Sequence, residues 1–434
     1  MNISNIISNL WIILTIFIVI CGLYFSKCIN FMQIFNIKKI FKNTFGKIKE
    51  GNSYTTIMSV LGGTVGSGNI AGIATGIAIG GVGAIFWMWV VALISMGNKF
   101  AEVTLAVYYQ KKDKNKYYGG PMYYIKEIKG NKGKYLSIFY ACALFIYVLS
   151  NAGFVQANTI STSLNDTFNM SNTFIGICLL LMSYGIIKGG INAVSKVLKS
   201  LVPFMCILYI LISLIIIGIN YTNIIPSIKD IFIYAFKPQP IIGGFMGSSI
   251  LLAISKGSSR GILSNEAGTG TSTTVHATSK NKPVIQGMWG IVEVYIVSFV
   301  ICTITALLIT TTNAYQTGLT GSPMVLEAFN TLGSIGKYIL CFMICLFAYS
   351  TYIGFFYEYN TCIRYLFKDK IVLGILKYIY LIPIILAVYM PINKTWLLSD
   401  ISVGLIIIPN LISLLILSPK LKSIIKEYNY AKEN

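Results

Sequence analysis

The chain alternates between long uncharged runs and short segments rich in lysine. Crossing a bilayer takes about 20 consecutive apolar residues. Read run by run, the pattern predicts eleven helical spans, at 6–26, 54–80, 83–109, 136–164, 172–188, 200–220, 243–270, 284–311, 338–361, 371–391 and 398–418. Residues 51–98 are uncharged for 48 residues, and the cluster Gly80-Gly81-Val82-Gly83 divides that stretch into a hairpin of two spans. Residues 1–26 carry no charge and offer neither a basic leader nor a small-residue cleavage site, so they read as a retained span rather than a signal peptide. The expected class is an all-α polytopic membrane protein.

The basic residues then set an orientation. Lys27, Lys38, Lys39, Lys42, Lys47 and Lys49 fill the first loop, and Lys111, Lys112, Lys114, Lys116, Lys126, Lys129, Lys132 and Lys134 the third. Later alternate loops and the tail continue the bias, while the opposite set holds only Lys229, Lys237, Lys337 and Lys394. By the positive-inside rule the N-terminus is expected outside and the C-terminus in the cytoplasm.

Composition agrees. Charged residues make up 11% of the chain, where soluble domains carry about 25%. The net charge of +20 sits between apolar runs, which points to a membrane rather than to nucleic acid. Nine cysteines lie mostly inside apolar runs and form no CxxC pair, so they read as apolar filler. The single histidine, His276, cannot build a histidine metal site. No catalytic constellation is present, which sets an intramembrane enzyme aside. A channel would want a repeated filter, and none is seen.

With the first span set apart, spans two to six and seven to eleven form two sets of five with opposite polarity, as an inverted repeat requires. Span two contains Gly62-Gly63-Thr64-Val65-Gly66-Ser67-Gly68-Asn69. Span seven, its counterpart, contains Gly243-Gly244-Phe245-Met246-Gly247-Ser248-Ser249 and Gly257-Ser258-Ser259-Arg260-Gly261. Glycine-interrupted segments at matching positions suggest broken helices around a midplane site. The expected organisation is an extra N-terminal helix with a basic loop (1–50), a first repeat (51–220), a second, inverted repeat (221–418) and a tail (419–434).

Glycine costs about 1 kcal/mol relative to alanine inside a helix, so the middle of span two unwinds easily. Unwinding frees N–H groups for a carboxylate and carbonyls for a small cation. The half-helix starting near Gly68 and Asn69 would turn its positive end toward an anion. Thr64, Ser350 and Thr351 can add hydroxyls to a sodium site. Close packing of the small-xxx-small kind is the plainer reading of the glycines, but it leaves Thr64, Ser67 and Asn69 unexplained. For Gln156, deep in span four, a substrate ligand and an amide satisfied by a neighbouring helix are equal readings. Glu293, an acid inside span eight, is a functional candidate by default; it could instead pair with Arg260. Asp400 is expected to be solvated.

These residues resemble the alanine/glycine:cation symporters, also called sodium:alanine symporters, over about residues 50–420. The likeness rests on Thr64-Val65-Gly66-Ser67-Gly68-Asn69-Ile70-Ala71-Gly72 with Gly83-Ala84-Ile85-Phe86-Trp87-Met88-Trp89; on Lys99-Phe100-Ala101-Glu102; and on Gly119-Gly120-Pro121-Met122-Tyr123-Tyr124-Ile125. It continues in Val155-Gln156-Ala157-Asn158, in Arg260-Gly261 with Ser264-Asn265-Glu266-Ala267-Gly268 and His276-Ala277, and in Phe347-Ala348-Tyr349-Ser350-Thr351 with Gly354.

The resemblance implies a LeuT-type fold, a 5+5 inverted repeat plus one helix. It implies sodium-coupled symport of alanine or glycine across the cell membrane by a monomeric transport unit in the lipid bilayer. It also implies substrate contacts at Gly66, Ser67, Gly68, Asn69, Gln156 and Phe355, and sodium at Gly62, Thr64, Val65, Ser350 and Thr351. Proton coupling through Glu293 is the alternative. The chain departs from the family where Phe355 replaces a tryptophan, where Gly81-Val82-Gly83 replaces Gly-Pro-Gly, at Gly268-Thr269-Gly270, and at Val297-Ser298, where an aspartate is common.

Overall fold

A computed structural model describes residues 3–47, 53–113 and 116–433. Lys49 and Lys114, counted in the basic loops, and the expected boundary at residues 50 and 51 lie outside them. The described chain is almost wholly helical. Its main helices are α1 (Ile3–Cys28), α2 (Ser53–Thr64), α3 (Ala71–Gly80), α4 (Ala84–Tyr108), α5 (Asn131–Phe168), α6 (Asn172–Lys188), α7 (Gly190–Ile219), α8 (Ile250–Asn265), α9 (Pro283–Thr311), α10 (Ser334–Gly354), α11 (Phe356–Leu366), α12 (Lys370–Ala387) and α13 (Ile392–Ile416). Helices α5 and α9 each contain a π-helical stretch, Leu149–Gln156 and Tyr295–Cys302. A short antiparallel hairpin pairs Lys111–Asp113 with Lys116–Tyr118.

Among the described residues, eight helices are long and apolar enough to cross a membrane, or nine if the bent pair α2–α3 counts as one crossing. Of the eleven expected spans, the two outside that set are α6, with 17 residues, and α8, with 16. The expected helix over 243–270 is corrected at both ends. Gly243 and Gly247 have positive φ, and the chain there forms isolated bridges, Gln239 with Ser248 and Ile242 with Phe245. The helix starts only after Ser249, whose side chain accepts from the N–H of Leu252. It ends where Glu266, Gly268 and Gly270 all turn to positive φ.

Helix α4 lies at the centre, and every residue from 95 to 107 is buried. Helices α1, α8 and α9 pack on it. They approach closely because glycine stands at the contacts: a Cβ on Gly97 would meet the Gly22 carbonyl at 2.6 Å, and one on Gly257 would run into the Ala84 carbonyl. Lipid gives helices no hydrophobic reason to associate, so such close backbone packing carries much of the interaction. The expected hairpin between α3 and α4 is formed. Gly81 takes φ 73°, and the Val82 N–H donates to Gln239 Oε1 at 2.8 Å. At the periphery α7 leaves Phe204, Ile207, Leu211, Leu214, Ile215 and Ile219 exposed, an apolar face that suits lipid.

Candidate substrate and ion site

Span two is a broken helix. Helix α2 stops at Thr64, Gly66 is extended, a single 3-10 turn covers Ser67–Asn69, and the two pieces meet at 64°. Among the described residues, the N–H groups of Gly66, Ser67 and Gly68 make no backbone hydrogen bond, and the carbonyls of Gly62 and Val65 accept none. Free donors therefore gather at the positive end of the second piece and free acceptors at the negative end of the first. Asn69 stitches the two together. Its Nδ2 donates to the Thr64 carbonyl at 3.1 Å, and its own carbonyl accepts from Thr305 Oγ1 on α9 at 2.9 Å.

Two other helices close on the turn. Ser67 Oγ donates to Gln156 Oε1 at 2.7 Å. Gln156 closes the π-helical stretch of α5, an irregularity frequent at functional sites. On α10, Thr351 stands so close to Gly66 that a Cβ there would collide with its hydroxyl. Thr351 Oγ1 is buried with no hydrogen-bond partner among the described residues, whereas Ser350 Oγ donates to the Phe347 carbonyl at 2.9 Å and Thr64 Oγ1 to the Val60 carbonyl at 3.2 Å. An orphaned hydroxyl beside unpaired carbonyls is an oxygen-only donor set of the kind a hard cation takes. Phe355, at the α10–α11 junction, is buried and packs on the Tyr147 ring at 5.9 Å.

Two cavities flank the turn without including it. One, of about 560 Å³, is lined by Ala71, Thr75, Thr159, Thr162, Arg260 and Asp400 among others. The second, of about 430 Å³, is lined by Thr55, Thr56, Ser59, Asn192 and Tyr357 among others. Helix α2 borders the second cavity and α3 the first, so the broken turn forms part of the barrier between them.

A fully buried ionic cluster lies beyond the turn. Lys99 Nζ sits 3.1 Å from Glu293 Oε1 and 4.0 Å from Glu102 Oε1, and donates to the Asn265 carbonyl at 3.0 Å and to Ser272 Oγ at 2.7 Å. It thereby caps the C-terminus of α8, where a cation is favoured. Asn410 of α13 donates to Glu102 Oε2 at 3.0 Å and to the Gly268 carbonyl at 2.9 Å.

The profile of the sodium:alanine symporter family matches residues 1–434. The chain belongs to the sodium:alanine symporter family. A sodium/alanine symporter, AgcS, of Methanococcus maripaludis is 33% identical over 433 residues, which cover 95% of this chain and 93% of its own. An uncharacterized transporter of Haemophilus influenzae is 36% identical over 406 residues, 91% of this chain and 88% of its own. The solved structure of a substrate-bound, outward-open Na+-coupled sialic acid symporter superposes with a TM-score of 0.57 over 93% of this chain and 86% of its own. At 13% identity that likeness is one of fold.

As a member of the sodium:alanine symporter family the protein is a multi-pass membrane transporter and not an enzyme. The structure brings Gly66, Ser67, Gln156 and Thr351 together. Asn69 and the Thr64 carbonyl are occupied with each other. The expected pair of Glu293 with Arg260 is not formed: Glu293 faces Lys99 and His276, while Arg260 Nη1 lies 3.9 Å from Asp400 Oδ1 and stacks on Trp396 at 5.2 Å. Asp400, its side chain only 16% exposed, is therefore largely enclosed beside an arginine rather than freely solvated. Gly257 and Gly261 pack α8 on α4 through Ala84 and Met88, and the break in span seven falls instead at residues 266–271. Sequence reasoning passed over Glu358, the one acid in residues 338–361, although the rule that picks out Glu293 applies to it equally.

Proposed function

We propose that this protein carries a small neutral amino acid, alanine or glycine and also serine, together with sodium, by alternating access around the broken turn of span two. The observation that carries this reading is the pairing at one turn of three unbonded N–H groups with an orphaned hydroxyl and unpaired carbonyls. The substrate carboxylate takes the N–H groups of Gly66, Ser67 and Gly68 and balances their partial charge. Gln156 orients the substrate through the amide that meets Ser67, and Phe355 bounds its side chain. Sodium takes the Gly62 and Val65 carbonyls with the Thr351 and Ser350 hydroxyls. Carboxylate and sodium then lie on opposite sides of one turn, so each stabilises the binding of the other.

The wider organisation belongs to the same reading. Eleven spans comprise an extra helix (1–50) and two inverted five-helix repeats (51–220 and 221–418), followed by a cytoplasmic tail (419–434). The N-terminus lies outside, and each monomer is a transport unit in the cell membrane. Lysine placement in the loops supports the orientation. The deciding experiment is uptake of labelled alanine, glycine and serine into proteoliposomes. Saturable uptake driven by an inward sodium gradient is expected; equal uptake in potassium and sodium buffers would overturn the assignment.

A further inference from the structure

The buried cluster beyond the broken turn holds more acids than it can neutralise. Lys99, Glu102, Glu266, Glu293 and Glu358 are each at most 2% exposed, four carboxyl groups against one ammonium. His276 adds no charge. Asn281 Nδ2 donates to Gln286 Oε1 at 2.8 Å, which turns Gln286 Nε2 toward His276 Nδ1 at 2.7 Å. Nδ1 therefore accepts, and Nε2 carries the proton it donates to Glu293 Oε2 at 2.9 Å. The imidazole is neutral.

Three of the acids are held as acceptors. Glu293 has Lys99 and His276, and Glu102 has Asn410. Glu266 accepts from the Thr271 hydroxyl and, at 3.4 Å, from Tyr147. One oxygen each of Glu102, Glu293 and Glu358 is buried with no hydrogen-bond partner among the described residues. For Glu102 and Glu293 that oxygen faces the Lys99 ammonium, at 4.0 and 3.1 Å, whereas the Glu358 Oε2 has neither a donor nor an ion pair. The charged groups around it are Glu266, Lys99 and Glu293. The other titratable groups facing it are Tyr140 and Tyr147 of α5, Tyr380 of α12 and Cys362 of its own helix. The three tyrosine hydroxyls donate elsewhere, to the Thr269 carbonyl, Glu266 and the Tyr352 carbonyl. An ionised carboxylate with a buried oxygen that no donor reaches, next to a second acid, is costly, and a buried group so placed becomes neutral instead.

We propose that Glu358 is a proton-binding site of this transporter: it holds a proton as a neutral carboxylic acid in the closed arrangement and exchanges it with water through the cavity that Tyr357, Asn360 and Thr361 line on the same helix. The step forms and breaks one O–H bond, with water as proton donor and acceptor. Opening that cavity would hydrate Glu358 and let the proton leave, so pH on that side acts on the transport cycle. The proposal adds to sodium symport and needs only that the chain is a transporter. A proton fits better than a second metal ion, because no group of three or more acidic, histidine or cysteine side chains among the described residues is arranged to hold one.

Infrared difference spectroscopy of the purified protein tests it without transport. At neutral pH the wild type should show the C=O stretch of a protonated carboxylic acid, and Glu358→Gln should lose the part of that intensity that Glu358 contributes. Absence of that band in the wild type, or a Glu358→Gln spectrum of undiminished intensity there, overturns the proposal. If Glu358→Gln does not fold, Glu358→Asp decides: a shifted band assigns it to this residue, and an unshifted band overturns the assignment. In proteoliposomes, Glu358→Gln should flatten the dependence of uptake on pH, with Glu358→Asp retaining it; a Glu358→Gln profile parallel to the wild type also overturns the proposal. A protein with no sodium-driven uptake would sink the symport reading while leaving the infrared result to judge the proton site.

Discussion

Thr351 carries the most pointed single-residue expectation. Its hydroxyl has no hydrogen-bond partner among the described residues, so Thr351→Val removes no hydrogen bond seen there and discards a buried unsatisfied group, a change neutral or slightly favourable for stability. If the hydroxyl binds sodium, the sodium concentration for half-maximal uptake should rise at least tenfold while the melting temperature holds. An unchanged sodium curve would take Thr351 out of the ion site. Gln156 is the opposite case, because its amide already accepts from Ser67. Losing one hydrogen bond to a charged group costs about 1.5–3 kcal/mol, roughly tenfold to a hundredfold in affinity. Gln156→Ala should therefore weaken alanine binding by that much, with a smaller effect on folding. Normal binding with a lowered melting temperature would leave Gln156 a purely structural amide. These residues were legible in the sequence because polar groups inside apolar runs stand out. Asn69 was legible as well, but its actual work, closing the break onto the Thr64 carbonyl, depends on a backbone path that residue types do not specify.

Glycine gives different results on different helices, and this is where sequence reading reached its limit. On span two, Gly66 sits at the break against Thr351, while Gly354 of α10 packs on the backbone of Gly63, so one glycine-rich stretch both unwinds and packs. On α8, Gly257 and Gly261 only pack against α4. The two uses look alike as strings of small residues. What separates them is the run of positive φ at Glu266, Gly268 and Gly270, which ends α8 one turn after those glycines. A paired experiment exposes the difference. Gly66→Val should abolish alanine binding and leave an inserted protein, since the added side chain runs into the Thr351 hydroxyl and fills the space beside it. Gly257→Val should force α8 off the backbone of α4 and lower the melting temperature; overpacking of this kind typically costs about 1–3 kcal/mol. If both variants bind alanine and only stability falls, the span-two turn is a packing site like the other.

At the scale of the whole molecule, the two cavities and the barrier between them are what alternating access would act on. Helices α2 and α3 border opposite cavities and are joined only through the broken turn and Asn69, so ligand bound at that turn biases the position of both pieces at once. The ionic hub of Lys99, Glu102, Glu293 and Asn410 ties α4, α9, α13 and the segment after α8 into one body, and removing one partner of a buried pair costs about 3–5 kcal/mol. In the proposed cycle that hub would be the fixed frame against which α2 and α3 move. Single cysteines at Thr162, in the larger cavity, and at Thr55, in the smaller one, can report the motion in a background with the nine native cysteines replaced. Modification by a water-soluble thiol reagent should change in opposite directions at the two positions when sodium and alanine are added together, one slowing while the other quickens. Neither ligand alone should produce the full effect, because in the proposed arrangement sodium and carboxylate would occupy opposite sides of the same turn. Rates that rise or fall together would mean that ligand changes the overall openness of the protein rather than exchanging one access path for the other, and the barrier at Gly66 would not be the point about which it turns.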